Sequence, residues 1–150
     1  MPKEKFTEEL CEELFRMPKY VASTIMWEPE NDASVKFRAQ VLSRNEPYGF
    51  ELVGYWQKRS KYNRATWGFS LTFHRHCIRS YDMAKQHKNP GEVGKIRGPH
   101  KHRYSSSRIP RYAYKPNPEI SEQDPNQGLM DFLKEANIEV PESYQAYMFY

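Results

Sequence analysis

The sequence predicts an α+β protein: an N-terminal helix, an antiparallel β-meander of four to five strands, and a C-terminal helix. Three observations carry this reading. Apolar residues recur at three- and four-residue steps near both ends of the chain. Between them, segments alternate apolar and polar residues with the period of a half-buried strand. Aromatic residues make up 15% of a polar chain with mean hydropathy −0.94. They supply burial that few aliphatics would give, and disordered chains are poor in them. A length of 150 residues suits a single domain over 1–150.

Residues 7–17, TEELCEELFRM, form the first helix. Phe6, Leu10, Leu14 and Met17 share one side, and Glu8, Glu9, Glu12 and Glu13 take the others. Thr7 can cap it, its early glutamates suit the positive end of the dipole, and Pro18 stops it. A short strand is expected at 21–27, VASTIMW. In SVKFRAQVL, 34–42, Val35, Phe37, Ala39 and Val41 face inward and Lys36, Arg38 and Gln40 outward. FELVGYW, 50–56, is the next strand after the turn NEPYG. In ATWGFSLTF, 65–73, Trp67, Phe69, Leu71 and Phe73 share a face. HCIRSYD, 76–82, continues that strand or begins another after a tight turn. Residues 83–99 read as a long loop. HKHRYS can form a short strand closing it. The proline-punctuated stretch 115–128 reads as an extended connection, and Leu129, Phe132, Leu133 and Ala136 mark the C-terminal helix at 129–138. The aromatic tail PESYQAYMFY is expected to pack on the sheet or on a partner.

Charge is unevenly placed. Residues 58–115 hold fifteen Lys and Arg against two acids, a balance of +13; the rest of the chain stands at −9. A one-signed segment makes a strong local field, and nucleic-acid phosphate is its commonest partner. The bland alternative is that the acidic termini fold over this segment. Lys58, Arg59, Lys61, Arg64, Arg75, Arg97, Lys101, Arg103 and Tyr104 are the candidate nucleic-acid contacts. Cys11 and Cys77 make no disulfide framework. No apolar run reaches the roughly 20 residues a membrane helix needs, and the N-terminus is not a signal peptide. The expectation is a cytoplasmic protein with no membrane partner.

All five histidines lie at 74–102, inside the basic segment. On a strand, residues two apart point the same way, so His100 and His102 share a face, as do His74 and His76. Continuing the second parity reaches Asp82. Three chemistries compete. In the first, imidazoles act as acid and base on a phosphodiester, with Arg79, Lys101 and Arg103 as candidate cations and Tyr104 and Trp67 as stacking rings. In the second, the histidines and Asp82 hold zinc, a weakly specific spacing that ranks behind. In the third, the histidines only touch phosphate, or nothing. The first stands level with the third, and no metal or cofactor is assigned.

Residues 78–104, IRSYDMAKQHKNPGEVGKIRGPHKHRY, resemble a signature of small bacterial proteins. Arg79, Asp82, His87, Asn89, Pro90, His100, His102 and Tyr104 fall on its positions. One group with this pattern is an uncharacterised family of bacterial and mobile-element genomes. A shorter version is similar to the TumE-type toxins of toxin–antitoxin modules. The sequence departs at Gly91, where that family has an aspartate, and in the two residues between Arg79 and Asp82. The resemblance implies a toxin-like protein acting on RNA, with an antitoxin or host protein as partner. The leading expectation is a metal-independent ribonuclease with His100 and His102 as acid and base, His87 assisting, and Arg79 binding phosphate. His74, His76 and Asp82 are secondary candidates. The rival is a non-catalytic inhibitor from a mobile element that binds nucleic acid or protein.

Overall fold

Thr7 opens the chain's first helix, α1 (Glu8–Arg16), its hydroxyl accepting the Leu10 N–H at 3.1 Å. Such a bond satisfies a donor the helix itself cannot. In the computed structural model the described residues are 7–45, 48–58, 65–82, 100–103, 112–114 and 124–149; for 82, 100–103 and 112–114 the backbone alone is described. Cys11, Leu14 and Phe15 turn inward from α1. The second helix, α2 (Pro125–Glu135), begins four residues earlier than the apolar spacing indicates. Asp124 is its cap, and Pro125 stands at the first helical position, where a missing N–H costs nothing. Leu129, Phe132 and Leu133 are buried from it as expected.

The strands are β1 (Lys19–Val21), β2 (Glu28–Asn31), β3 (Ser34–Ser43), β4 (Gly49–Gln57), β5 (Thr66–Phe73), β6 (His76–Asp82), β7 (His100–Arg103), β8 (Tyr112–Tyr114) and β9 (Ile138–Glu139). The protein is α+β, with two helices and one mixed sheet among the described residues. Its order is β8-β7-β6-β5-β4-β3-β1-β9, and β2 pairs with β3 off this path. The expectation is an antiparallel meander of four to five strands; the sheet found is larger and mixed, since β9 joins β1 in parallel. Residues 22–27 are not a strand, although Ile25 and Trp27 are buried.

One face of the sheet carries the core. Val35, Phe37, Ala39 and Val41 of β3, Phe50, Leu52 and Trp56 of β4, and Trp67, Phe69 and Leu71 of β5 are all buried there. The parity read for β3 and β5 holds. α1 packs on β6, and α2 on β5 and β9. The helix C-termini meet at Lys19, which is 1% exposed. Its Nζ donates to the carbonyls of Phe15 (2.7 Å), Met17 (3.0 Å) and Ala136 (2.7 Å). Asn137, at φ 56°, turns the chain out of α2 and donates its side-chain amide to Arg16 O at 2.8 Å.

The aromatic tail packs on the fold. Asn126 accepts from the Tyr144 hydroxyl (2.6 Å) and the Tyr147 N–H (3.0 Å) and donates to the Tyr147 carbonyl (2.9 Å). The Phe149 ring reaches Trp27 at 5.0 Å and Trp56 at 5.4 Å.

Candidate functional site

Strand register decides which of the basic segment's residues share a face. β6 pairs with β7 so that Asp82 stands opposite His100, Ser80 opposite His102, Tyr81 opposite Lys101 and Arg79 opposite Arg103. Opposed residues of an antiparallel pair lie on the same face, with Cβ atoms about 4.5–5.5 Å apart. Arg79 and Tyr81 oppose Leu71 and Phe69 of the core. Ser80 and Asp82, with His102 and His100, therefore occupy the face turned away from the helices. Two strand steps separate the histidine positions, about 7 Å along β7.

Two rows cross this open face in register. One runs Lys36, Tyr55, Gly68, Asp82, His100. The next runs Arg38, Val53, Ser70, Ser80, His102, Ala113. Tyr55, Gly68 and Asp82 in one row, and Val53, Ser70 and Ser80 in the other, lie between the β3 cations and the histidine positions. Lys36 pairs with Glu30 at 3.0 Å and Arg38 with Glu51 at 2.7 Å, both exposed. Such pairs contribute little, so an incoming phosphate can take either cation at small cost.

His74 and His76 do not join this face. His74 and Arg75, at φ 46° and 68°, form the two-residue turn between β5 and β6. Both positions being left-handed is the geometry of a tight hairpin. A bulge then shifts the register between Leu71 and Thr72, so Phe73 opposes His76 and Thr72 opposes Cys77. The extra residue inverts the parity of β6. His76 consequently lies on the Phe73 side of the sheet, and Asp82 on the other. The expectation that His76 and Asp82 share a parity is corrected by this one residue.

Arg79 is also placed elsewhere. It is 5% exposed, on the helix side of the sheet. Its guanidinium donates to Glu12 Oε1 at 3.0 Å and lies 3.8 Å from the centre of the Phe15 ring. It secures α1 to β6 and does not reach the face of the histidines. Lys101 and Arg103 alternate with His100 and His102, so register puts them on the helix side as well. Acidic α1 folding over a basic strand is thus realised at Arg79. Trp67 is 4% exposed in the core and presents no stacking surface. Lys58 is exposed after β4, its N–H bound to Ala33 O. Arg59, Lys61, Arg64, His87, Arg97 and Tyr104 lie outside the described residues.

Replacing Arg79 by Gln is expected to lower stability by about 2 kcal/mol, since a truncated buried pair leaves a charge behind but Glu12 is partly open to water. Any activity per folded molecule should be unchanged. Chemical denaturation together with an RNA-cleavage assay checks both halves.

The fold and register define an α+β protein whose sheet face turned away from the helices holds the positions of Asp82, His100 and His102 in register with the buried Ser80. The chain belongs to DUF6978, a family of unknown function, whose profile matches residues 6–138. No curated protein and no solved structure matches it.

Proposed function

We propose that the protein is a metal-independent ribonuclease acting at the face of β6 and β7 turned away from the helices, in a toxin–antitoxin or phage-defence module of the cytoplasm. The observation that carries the reading is the register: Asp82 opposite His100, with His102 two residues on along the same face. A carboxylate beside an imidazole orients it and stabilises its protonated form, which is what a general base requires.

His100 then takes the proton of a ribose 2′-hydroxyl. The 2′-oxygen bonds to phosphorus, the bond from phosphorus to the 5′-oxygen breaks, and His102 as imidazolium gives its proton to the departing oxygen. The products are a 2′,3′-cyclic phosphate and a 5′-hydroxyl. The spacing of about 7 Å between the histidine positions leaves room for a phosphate between them. The similarity of a shorter version of the 78–104 signature to TumE-type toxins supports the same reading, and an antitoxin is the expected partner.

The second reading is a non-catalytic inhibitor that binds nucleic acid or a host protein. What favours it is that Arg79, Lys101 and Arg103 stand on the helix side, so the charge of the basic segment is not centred on the histidines. The deciding experiment incubates the purified protein with mixed RNA in EDTA, beside His100→Ala/His102→Ala. Cyclic-phosphate ends from the native protein, absent with the double variant, support the nuclease. Binding without cleavage supports the inhibitor. Cleavage retained by a folded double variant rejects the site.

A further inference from the structure

The hairpin between β5 and β6 makes its turn with residues that such turns avoid. Two left-handed positions in a row favour Asn-Gly, because most other side chains strain that backbone. Here the pair is His74 and Arg75, at φ 46° and 68°. Both are exposed, so no burial offsets the strain. Strain held at an exposed turn points to a use for the side chains it presents. The His74 ring sits edge-on to Phe73, with centres 4.2 Å apart. The free-standing charge of the turn is therefore Arg75.

This turn closes one end of a pocket of about 680 Å³ on the face turned away from the helices. Arg38 and Gln40 of β3, Glu51 of β4 and Thr72 of β5 line the rest. The volume is that of a small-molecule or nucleotide site. Two guanidiniums thus line one cavity against a single carboxylate. Glu51 holds Arg38 Nη1 at 2.7 Å, but the pair is exposed and gives way readily to a phosphate. Guanidinium forks match phosphate geometry. Gln40 and Glu51 add the acceptor oxygens that an exocyclic base amine needs. An acidic peptide would set further carboxylates against Glu51, whereas a nucleotide brings one phosphate and a neutral base. Only an unpaired strand can turn a base into such a pocket.

We infer that this pocket binds one nucleotide of a single-stranded RNA, its phosphate held between Arg38 and Arg75. The inference rests on reading the protein as one that acts on RNA. It places the anchor away from the cleavage positions, which stand on β7, two strand spacings or about 10 Å beyond β5. About three stacked nucleotides cover that distance. It also draws a cation from outside the basic segment, on a face where Lys101 and Arg103 do not lie.

The test follows the fluorescence anisotropy of a labelled 2′-O-methyl RNA of about 12 nucleotides, which has no free 2′-hydroxyl to attack its own phosphates. Native protein, Arg38→Gln, Arg75→Gln and Arg16→Gln are compared across a series of salt concentrations. Arg38→Gln and Arg75→Gln should each bind about tenfold more weakly, with the log–log salt slope shallower by about 0.7. Arg16→Gln removes the same charge from the exposed side of α1 and should bind as the native protein does. A fourth variant, His74→Asn/Arg75→Gly, supplies the turn the backbone favours. Its Tm should rise by about 5 °C while its binding weakens as in Arg75→Gln, a loss that no folding defect explains. Equal binding by the native protein, Arg38→Gln and Arg75→Gln overturns the inference. So does an Arg16→Gln as weak as Arg38→Gln, or AMP bound as tightly as the oligonucleotide, which would make the pocket a free-nucleotide site. Unmodified RNA tests the other reading: if it is bound through the two arginines and never cut, the pocket stands and the ribonuclease fails.

Discussion

His100→Ala should lower RNA cleavage by about 10²–10⁴-fold, the usual contribution of a positioned acid or base. Asp82→Asn should lower it by a comparable factor, because on the proposed reading Asp82 acts through His100, the position it opposes. Combining the two substitutions should then cost little beyond His100→Ala alone. Residues that act as a unit are non-additive in this way. Two independent contributions would instead multiply. The controls come from the same sheet. His76→Ala alters a histidine beyond the bulge on the other face, and His74→Ala one in the hairpin turn. Both variants should cleave as the native protein does. Single-turnover rates on one defined oligonucleotide, measured across pH 5–8, check the whole set. A His76 variant as damaged as the His100 variant would mean that the active face has been misassigned.

The two histidine pairs look alike in sequence, and each was legible as a pair of equal parity. What separates them was not legible. The parity of β6 inverts at Ile78 because Cys77 and Arg79 oppose neighbouring residues of β5. A bulge is a property of two strands together, and nothing local in HCIRSYD marks it. The pairing of Asp82 with His100 was hidden for the same reason, since it depends on register across a long connection. Arg79 reads as a free cation until α1 brings Glu12 and Phe15 against it. The strands β8 and β9, of three and two residues, are too short for any period to register. The first turn of α2 carried its signal openly in Asp124 and Pro125, but the prolines around it read as an extended connection. The parities of β3 and β5 were legible because each is a local pattern that one apolar face enforces.

Lys19→Met should lower stability by about 3 kcal/mol, enough to reduce Tm by about 10 °C in a chain of this size. The cause is the backbone it serves. Phe15 and Met17 end α1, Ala136 ends α2, and their carbonyls have no helical partner. A methionine fills the space but donates nothing, so buried acceptors at two negative helix ends lose their hydrogen bonds. The same ammonium lies 5.9 Å from the Phe15 ring centre and 5.5 Å from that of Phe50. Arg is no substitute, because its planar fork cannot converge on three carbonyls as a compact ammonium does. The pH dependence gives a second check. Burial pushes the Lys19 pKa from 10.5 down to about 7, against the pull of the carbonyls for the charged form. Between those two values the unfolded chain binds the proton and the folded chain releases it. The cost of burying the charge is complete below about pH 7 and is relieved as pH rises towards 10.5. The native protein should therefore gain stability relative to Lys19→Met across that interval, as measured by urea denaturation at a series of pH values. A gap that narrows with rising pH would show instead that the carbonyls hold the lysine charged, with the two helix ends acting as its counterion.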